Sequence, residues 1–374
     1  MSVATADISP ADYVRRAGEL APELAAAADE IERRRELPEA VVDALVERGL
    51  FRLLLPRSLG GAELLPADFV PVIEEIAKAD AATARCLNQA SGCTMTAAYL
   101  DPEAACEIFG GPRGILAWGP GPGTARVVAG GYRVSAKWSF ASGSHNASWL
   151  GCHVPILEAD GAPRLHPDGS PVVRTMGTGS DQFSVEDLFV PERHSATRDD
   201  ATRREPGLLY RFSSLQLYAA GFAGVAMGIA RSTLDAFIQL ARDKVPFRSG
   251  GALRDNHLIQ SQVAQAEARL AAGRAHLLGA LEDITAEIAR IGHITLDQRM
   301  TARLASTFAI HQSLQVVDTA YHAAGSTAIF EANPFERRFR DIHTVSQQLQ
   351  GRLEHFETVG QYLLGLDPGN LMWL

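Results

Sequence analysis

The segment from Gly130 to Gly143 combines a strand pattern with groups that could bind a planar ligand. It reads GGYRVSAKWSFASG, so an alternating run ends in Trp138, Phe140 and Ser142. Aromatic walls beside a hydroxyl and the bare amides of a glycine suit a planar heterocycle, which has apolar faces and hydrogen-bonding edges. The two aromatic side chains fit the core of a strand equally well, so the pattern alone leaves both interpretations open.

Three other residues carry chemistry that suits a ligand site. Trp118 follows a short apolar run, His145 comes just after Gly143, and Arg248 stands in a loop that reads VPFRSGG. A guanidinium fork fits a phosphate, an indole can line a cavity, and an imidazole can approach a ligand. The alternatives are a core position for Trp118 and solvated loop positions for His145 and Arg248.

The sequence lacks the motifs that are typical of several kinds of functional site. His153 and His166 have no carboxylate at helical spacing, so we expect no metal centre. No Gly-x-Gly-x-x-Gly unit joins a strand to a helix, so we expect no domain for a tightly bound nicotinamide. The cysteines are predicted to be reduced core thiols rather than parts of a disulfide or metal site, and they are Cys86, Cys93, Cys106 and Cys152.

Composition narrows the class of protein further. The net charge is -9 and the arginines are scattered, which argues against a nucleic-acid partner. The longest nearly apolar stretch, Leu215 to Ile229, is shorter than the roughly 20 residues that span a bilayer. No cationic segment followed by an apolar run begins the chain, so we expect a folded protein of the cytoplasm without a membrane span.

The spacing of apolar residues changes twice along the chain, and the helices and strands that it predicts must position the candidate residues. Apolar residues recur at helical spacing as far as Phe109, with a short helix beginning at Asp101-Pro102. Short Val-, Trp- and Phe-rich runs separated by glycine turns then predict strands at 131–140, 149–154 and 182–190, closed into a compact β-barrel.

Long helical periodicities return after a polar linker. They predict helices over 209–242, 257–291, 296–324 and 334–364, arranged as an antiparallel four-helix bundle. The predicted fold is therefore α+β, with an N-terminal helical domain (1–112), a central β-barrel (113–206) and a C-terminal bundle (207–374). Helices this long leave broad faces uncovered in one chain, so we expect a homotetramer or at least a homodimer.

This order of domains resembles the acyl-CoA dehydrogenase superfamily, and most of all its two-component (group D) flavin-dependent monooxygenases. The resemblance spans nearly the whole chain. Besides the 130–143 segment, it rests on LPEAVVDALVERGLFRLLLP (37–56), LGG (59–61), GTGSD (177–181), VEDLFVP (185–191) and FERRFRD (335–341).

The resemblance implies a flavin site around the 138–143 segment. Phe140 would pack against the isoalloxazine ring, and Ser142, beside Gly143, would hydrogen-bond near the flavin N5 and O4 atoms. Trp118 would lie on the adjoining strand and line the same cavity. Arg248 would reach the flavin or its phosphate, and Ser249-Gly250 in place of the Phe-Gly of the dehydrogenases speaks against an adenine-dinucleotide site.

The sequence of the last helix distinguishes the dehydrogenases from the monooxygenases of the superfamily. Dehydrogenases carry a catalytic Glu shortly after the Arg-Asp of this helix, whereas no carboxylate closely follows Arg340-Asp341 here. Related monooxygenases place a His about seven residues after that Asp, and this chain has Gln348 there. His343 is a titratable substitute or a helix-surface residue, and Arg340-Asp341 is read as a structural ion pair.

By resemblance, the chain is an oxygenase that uses reduced FMN, or FAD, supplied by a separate NAD(P)H:flavin reductase. Oxygen would add at flavin C4a, and the resulting hydroperoxide would hydroxylate a small organic substrate or oxidise its nitrogen or sulfur. The catalytic candidates are Ser142, His145 and Gln348. Two alternatives stay open: an acyl-CoA dehydrogenase or oxidase with an unusual base, and a non-catalytic relative of the fold.

Overall fold

The structure is a computed structural model. It describes residues 8–119, 121–139, 141–167, 169–178, 184–198, 200–247 and 250–369. The chain forms two compact units built from interleaved segments. The first unit contains Ala27–Leu65 and Cys86–Ser214, and the second contains Pro10–Ala26, Pro66–Arg85 and the chain from Leu215 onward. The domain boundaries expected from the sequence, at 112 and 206, stay a prediction.

The N-terminal third is helical, as predicted. Its helices are α1 (Pro10–Glu19), α2 (Ala21–Arg34), α3 (Glu39–Glu47), α4 (Pro66–Ala79), α5 (Ala81–Thr94) and α6 (Pro102–Phe109). Helix α6 shows why the start of a helix could be predicted from the sequence. The Asp101 side chain accepts a hydrogen bond from the Glu103 amide at 3.0 Å, and Pro102 occupies the first turn, where no amide hydrogen is needed.

A curled sheet of seven strands follows in the first unit. The strands are β1 (Leu116–Ala117), β2 (Gly123–Val128), β3 (Gly131–Lys137), β4 (Trp149–Leu157), β5 (Val173–Thr178), β6 (Ser184–Pro191) and β7 (Ser195–Ala196). Their order is β6-β3-β2-β4-β5-β7, with β1 paired to β4. Strand β4 runs parallel to β1 and β2, and the other pairs are antiparallel. The three strands predicted from the sequence correspond to β3, β4 and β6.

The two faces of β4 and β5 differ because side chains alternate along a strand. One face, here called the core face, contributes Cys152, Val154 and Met176 to a hydrophobic cluster that also contains Trp138. The other, here called the polar face, carries Trp149, Gly151, His153 and Thr175, and the register pairs His153 directly with Thr175. The sheet therefore separates an apolar core from a surface lined by hydrogen-bonding groups.

The second unit contains the long helices expected at the C-terminal end. They are α7 (Ser214–Asp243), α8 (His257–Ile291), α9 (Leu296–Ala324), α10 (Phe335–Gln347) and α11 (Glu354–Leu363). Helices α8 and α9 have the bounds that their apolar periodicity predicts. Side chains such as Phe237, Ala320 and Phe335 bring α7, α9 and α10 into one buried cluster. The order of helices, sheet and helices confirms the predicted fold class.

The prediction of one helix over 334–364 was wrong, because the chain turns sharply after α10. Gln348 has an extended backbone, with φ -67° and ψ 152°, and the Gln348 side-chain oxygen accepts a hydrogen bond from the Gln350 amide at 2.6 Å. A methyl group on Gly351 would lie 2.9 Å from the carbonyl oxygens of both Val345 and Ser346. The turn folds back so tightly on the end of α10 that a glycine is needed there.

The four cysteines are all free, as expected, but they do not all lie in the core. Cys93 and Cys152 are buried, whereas Cys106 on α6 is exposed, so its prediction as a core thiol was wrong. Burial raises the pKa of the Cys152 thiol to about 12, which makes it an inert core residue. Within the described ranges, none of the helices has the length and apolarity required to cross a membrane.

Candidate functional site

The 138–143 segment lies against the chain that follows β1. A methyl group on Gly119 would stand 2.1 Å from the Ser139 carbonyl oxygen and 2.8 Å from the Ala141 amide nitrogen. At Gly121 it would stand 1.9 Å from the Lys137 carbonyl oxygen. Only glycine allows two backbones to approach so closely. The two segments that the sequence analysis selected, around Trp118 and around Ser142, are therefore neighbours in space.

Ser142 and Gly143 form the turn that leaves this segment. Gly143 has φ +81°, and a methyl group there would contact the Cys86 side chain on α5 at 3.7 Å. Ser142 is half-buried. No hydrogen bond joins its hydroxyl to another of the residues that the structure describes. A half-buried hydroxyl beside a left-handed glycine is suited to bind a polar atom of a ligand.

Trp118 belongs to the polar face and not to the hydrophobic cluster that holds Trp138. Its carbonyl oxygen accepts a hydrogen bond from Gln89 Nε2 at 3.2 Å. Its indole is 5% exposed and meets the His153 ring edge to face, with the centroids 4.6 Å apart. The Arg198 guanidinium carbon lies 5.8 Å from the centre of the same indole. Trp118 is thus as buried as a core residue but packs among polar groups, and its role at a flavin site stays a prediction.

His153 is held between Thr175 and Trp118. Its Nδ1 atom lies 2.8 Å from the Thr175 hydroxyl oxygen. Burial, with a smaller effect of the Arg198 charge, lowers the pKa of His153 well below its usual value. The imidazole is therefore neutral at pH 7 and acts as a hydrogen-bonding group rather than as a proton acceptor.

Arg198 completes this group of side chains. It follows β7 two residues after Ala196, is half-buried, and donates a hydrogen bond to the hydroxyl of Ser214. Sequence reasoning missed both Arg198 and His153. His153 had been tested only as a metal ligand, although the alternation of β4 already assigns it to the face opposite Cys152 and Val154.

His145 lies in the loop after Gly143 and contacts the segment between α2 and α3. Its Nδ1 atom is 3.0 Å from a carboxylate oxygen of Glu36, and the neighbouring Asn146 amide donates to the Leu37 carbonyl oxygen at 3.1 Å. Hydrogen bonds from Arg34 and then from His145 lower the pKa of Glu36. These contacts tie the loop to the N-terminal helices, and a catalytic role for His145 stays a prediction.

The candidates on the last helix lie in the second unit. Gln348 is half-buried, and its oxygen caps the turn after α10. His343 Nε2 lies 3.1 Å from an Asp318 carboxylate oxygen, so His343 is at the packing surface of α10 on α9. Arg340 donates hydrogen bonds to both oxygens of the Glu336 carboxylate, at 2.6 and 2.9 Å. Arg340 therefore has a structural partner in Glu336, one helical turn before it, and its pairing with Asp341 stays a prediction.

Two predicted flavin contacts, Phe140 and Arg248, lie outside the described residues. Their roles stay predictions. In the part of the chain that the structure covers, no three or more His, Cys, Asp or Glu side chains are grouped as metal ligands.

Comparison with protein families gives two matches. A model described as "Acyl-CoA dehydrogenase, N-terminal domain" matches residues 13–103, and one described as "Acyl-CoA dehydrogenase, C-terminal domain" matches residues 220–350. Together they cover more than half of the chain and leave out the whole sheet.

Individual relatives match over nearly their full length. An indole-3-acetate monooxygenase of Pseudomonas putida is 29% identical in an alignment of 353 residues that covers 91% of this chain and 90% of the relative. The oxygenase component of an FADH(2)-dependent resorcinol hydroxylase from a Rhizobium species is 27% identical and covers 91% of each chain. The HsaA monooxygenase structure from M. tuberculosis has the same fold, with a TM-score of 0.86, 23% identity, and coverage of 97% of this chain and 99% of that one.

Proposed function

Because this chain belongs to the acyl-CoA dehydrogenase superfamily, we propose that it is the oxygenase component of a two-component flavin-dependent monooxygenase. The observation that carries the proposal is the full-length similarity to proteins named as monooxygenases and oxygenase components. The sequence after Arg340-Asp341 agrees with it, because it lacks the carboxylate that a dehydrogenase needs to remove a proton from an acyl thioester.

The residues around the 138–143 segment fit a reduced flavin. The Ser142 hydroxyl has no bonding partner among the described residues and can bond to the polar edge of the ring, next to the Gly143 amide. Close backbone packing at Gly119 and Gly121 fixes this edge in place. The Rhizobium relative is named as FADH(2)-dependent, whereas reduced FMN is the flavin that the family resemblance implies, so both flavins belong in the assay.

Reduced flavin, when bound, supplies two electrons and two protons, so that one oxygen atom of O2 enters the substrate and the other leaves as water. The protein must position the flavin, exclude water and keep reactive oxygen from escaping as hydrogen peroxide. We assign the first task to Ser142 and Gly143. Gln348 stays a catalytic candidate by resemblance, and its amide nitrogen can donate a hydrogen bond but cannot accept a proton at neutral pH.

The proposal includes partners. A separate NAD(P)H:flavin reductase supplies the flavin, the substrate is a small aromatic compound, and the cytoplasm is the proposed location because it provides the NAD(P)H. A homotetramer is proposed because the end of the second unit exposes large apolar side chains. Val245, Phe247, Ile329 and Phe330 are between 59% and 90% exposed.

A direct test supplies purified protein with reduced FMN or FADH2 and a panel of phenols and indoles under 18O2. The expected result is incorporation of one labelled oxygen atom into an organic product, seen by mass spectrometry. Anaerobic reduction of bound oxidised flavin by an acyl-CoA would instead identify a dehydrogenase. Failure to bind flavin in either redox state would identify a non-catalytic relative.

Ser142→Ala tests the flavin contact. Loss of a hydrogen bond worth about 1 kcal/mol should raise the hydrogen peroxide released per product formed by about five-fold, with thermal stability unchanged. Ser139→Ala is the matched control, because Ser139 is exposed in the same segment. Equal peroxide release by the two variants at equal flavin occupancy would remove Ser142 from this role.

A further inference from the structure

Two histidines hold the turn between α10 and α11 by its backbone. His355, on the first turn of α11, donates from Nε2 to the carbonyl oxygen of Leu349 at 2.8 Å. His311, on α9, donates from Nε2 to the carbonyl oxygen of Gly351 at 2.8 Å. Because a carbonyl oxygen can only accept, both imidazoles carry a proton on Nε2. The turn is therefore bonded at both of its ends, by side chains from two different helices of the second unit.

A buried arginine holds the middle of the same turn. Arg303 lies about two helical turns before His311 on α9 and donates from Nη1 to the side-chain oxygen of Gln350 at 2.6 Å. Arg303 and Gln350 are each 2% exposed. Three consecutive residues of the turn are thus each held by a separate side chain, whereas connecting segments commonly run over the surface and move. A turn that is fixed in this way can hold one of its side chains in a single direction.

Gln348 is the side chain that this turn orients. Its oxygen accepts a hydrogen bond from the Gln350 amide at 2.6 Å, so the side-chain nitrogen, with its two N–H donors, is left for another partner. Among the residues that the structure describes, none accepts a hydrogen bond from this nitrogen. We propose that the two histidines and Arg303 are positioning residues, which hold Gln348 so that its amide nitrogen donates to an oxygen or nitrogen acceptor of the substrate. This proposal rests on the function proposed above.

Acid should loosen the turn, because the buried His355 imidazole resists a positive charge. It is 7% exposed, and burial, followed by the Arg303 charge, lowers its pKa. The hydrogen bond to the turn and the Glu354 charge oppose this shift, and the Arg352 charge adds to it. His311, at the other end of the turn, is also titratable. An opened turn exposes His355 to water, where it protonates near pH 6.5, so the open state binds more protons and becomes more populated as the pH falls.

Hydrogen exchange measures the opening of the turn without turnover. The probe is the protection factor of the peptide that contains 348–351, measured by mass spectrometry on the full-length protein over a pH series. In wild type we expect it to be constant above about pH 6.5 and to fall by up to about ten-fold per pH unit below that. His355→Gln, whose amide can still donate to Leu349, should keep the protection and lose most of the pH dependence. His355→Leu removes the donor and should lower the protection by about five-fold even at pH 8.

Gln348→Glu separates the two roles of the glutamine. A glutamate keeps the oxygen that accepts from Gln350 and replaces both N–H donors by an acceptor, so the turn should keep its protection. With FADH2 and the best substrate of the phenol and indole panel, kcat/KM should fall by about ten-fold. The wild-type kcat/KM should fall with the protection factor below about pH 6.5, and that of His355→Gln should fall less steeply. His322→Gln is the matched control, because His322 also lies on α9 but bonds to the Asp318 carbonyl oxygen of the same helix, at 2.7 Å.

Several outcomes would overturn the proposal. Wild-type protection in His355→Leu would do so, as would an unchanged kcat/KM in Gln348→Glu. A Gln348→Glu protein that binds reduced flavin more weakly, with the KM for the substrate unchanged, would also contradict it, because the acceptor would then belong to the cofactor. If His355→Leu does not fold, the pH series of wild type against His355→Gln decides. The expected exchange results without oxygen insertion into any substrate would refute the proposed function and keep the positioning of Gln348, whereas oxygen insertion that Gln348→Glu does not alter would refute this proposal alone.

Discussion

The core face and the polar face of one sheet use adjacent residues for different purposes. Met176 on β5 is fully buried in the hydrophobic cluster, and its neighbour Thr175 points to the opposite side and bonds to His153. Cys152 and Met176 on the core face are fully buried, whereas His153 and Arg198 on the polar face keep part of their surface accessible. The first face stabilises the sheet, and the second holds hydrogen-bonding groups at a partly accessible surface.

The two tryptophans show that residue type alone does not distinguish these faces. Trp138 and Trp118 are 6% and 5% exposed, so burial separates them no better than sequence context does. The neighbouring side chains distinguish the two residues. Trp138 packs with Val134, Cys152 and other apolar side chains, whereas Trp118 packs with an imidazole and a guanidinium. Polar neighbours at a buried aromatic ring are the better sign of a binding site.

The largest expected effect comes from the core face. Met176→Ala removes a fully buried side chain and leaves a cavity that the surrounding strands cannot close, so it should cost about 2–5 kcal/mol of unfolding free energy. Urea denaturation followed by circular dichroism measures this loss. The NMR chemical shift of the His153 ring in the folded variant should match wild type, and a changed shift would show that the two faces are not independent.

The parts of the fold that the sequence predicted are those set by local periodicity. The bounds of α8 and α9 agree with the predicted ones, and a capping side chain, Asn256 or Thr295, stands directly before each helix. Strand β3 could be predicted from its alternating pattern, and the start of α6 from a capping Asp and a first-turn Pro, because all of these are local signals. The 138–143 segment was selected for the same reason.

The parts that were missed depend on contacts between distant residues. Arg198 meets Trp118 across 80 positions, and His153 meets Thr175 across 22, so no short motif contains either pair. The end of α10 depends on how closely Gly351 approaches two carbonyl oxygens, which the apolar pattern of 334–364 does not reveal. Tertiary packing decided each of these features.

A pH series tests the neutral state of His153. Its pKa is lowered in the folded protein, so the unfolded chain binds a proton first as the pH falls below about 6.5. Stability should therefore be full above that pH and decline below it, by up to about 1.4 kcal/mol per pH unit for each such histidine. His355 shares this direction, because burial and then Arg303 lower its pKa, although it lies in the second unit.

Replacing the two histidines separately distinguishes their contributions. His153→Gln and His355→Gln should each reduce the slope of unfolding free energy against pH between 6.5 and 5, and the double variant should reduce it by the sum. An unchanged slope in His153→Gln would mean that the imidazole has the same pKa in the folded and the unfolded protein, so that burial does not keep it neutral below pH 6.5.

The smallest effect is expected from Thr175→Val, which keeps the shape of the side chain and removes only the hydroxyl that contacts His153 Nδ1. The loss should be about 1 kcal/mol, because one hydrogen bond disappears and no cavity forms. Thr175→Ser keeps the hydroxyl and is the matched control for that bond. Urea midpoints of both variants, compared with Met176→Ala on the neighbouring residue, give the contrast between the faces directly. A Thr175→Val loss as large as that of Met176→Ala would show that the polar face is packed like a core.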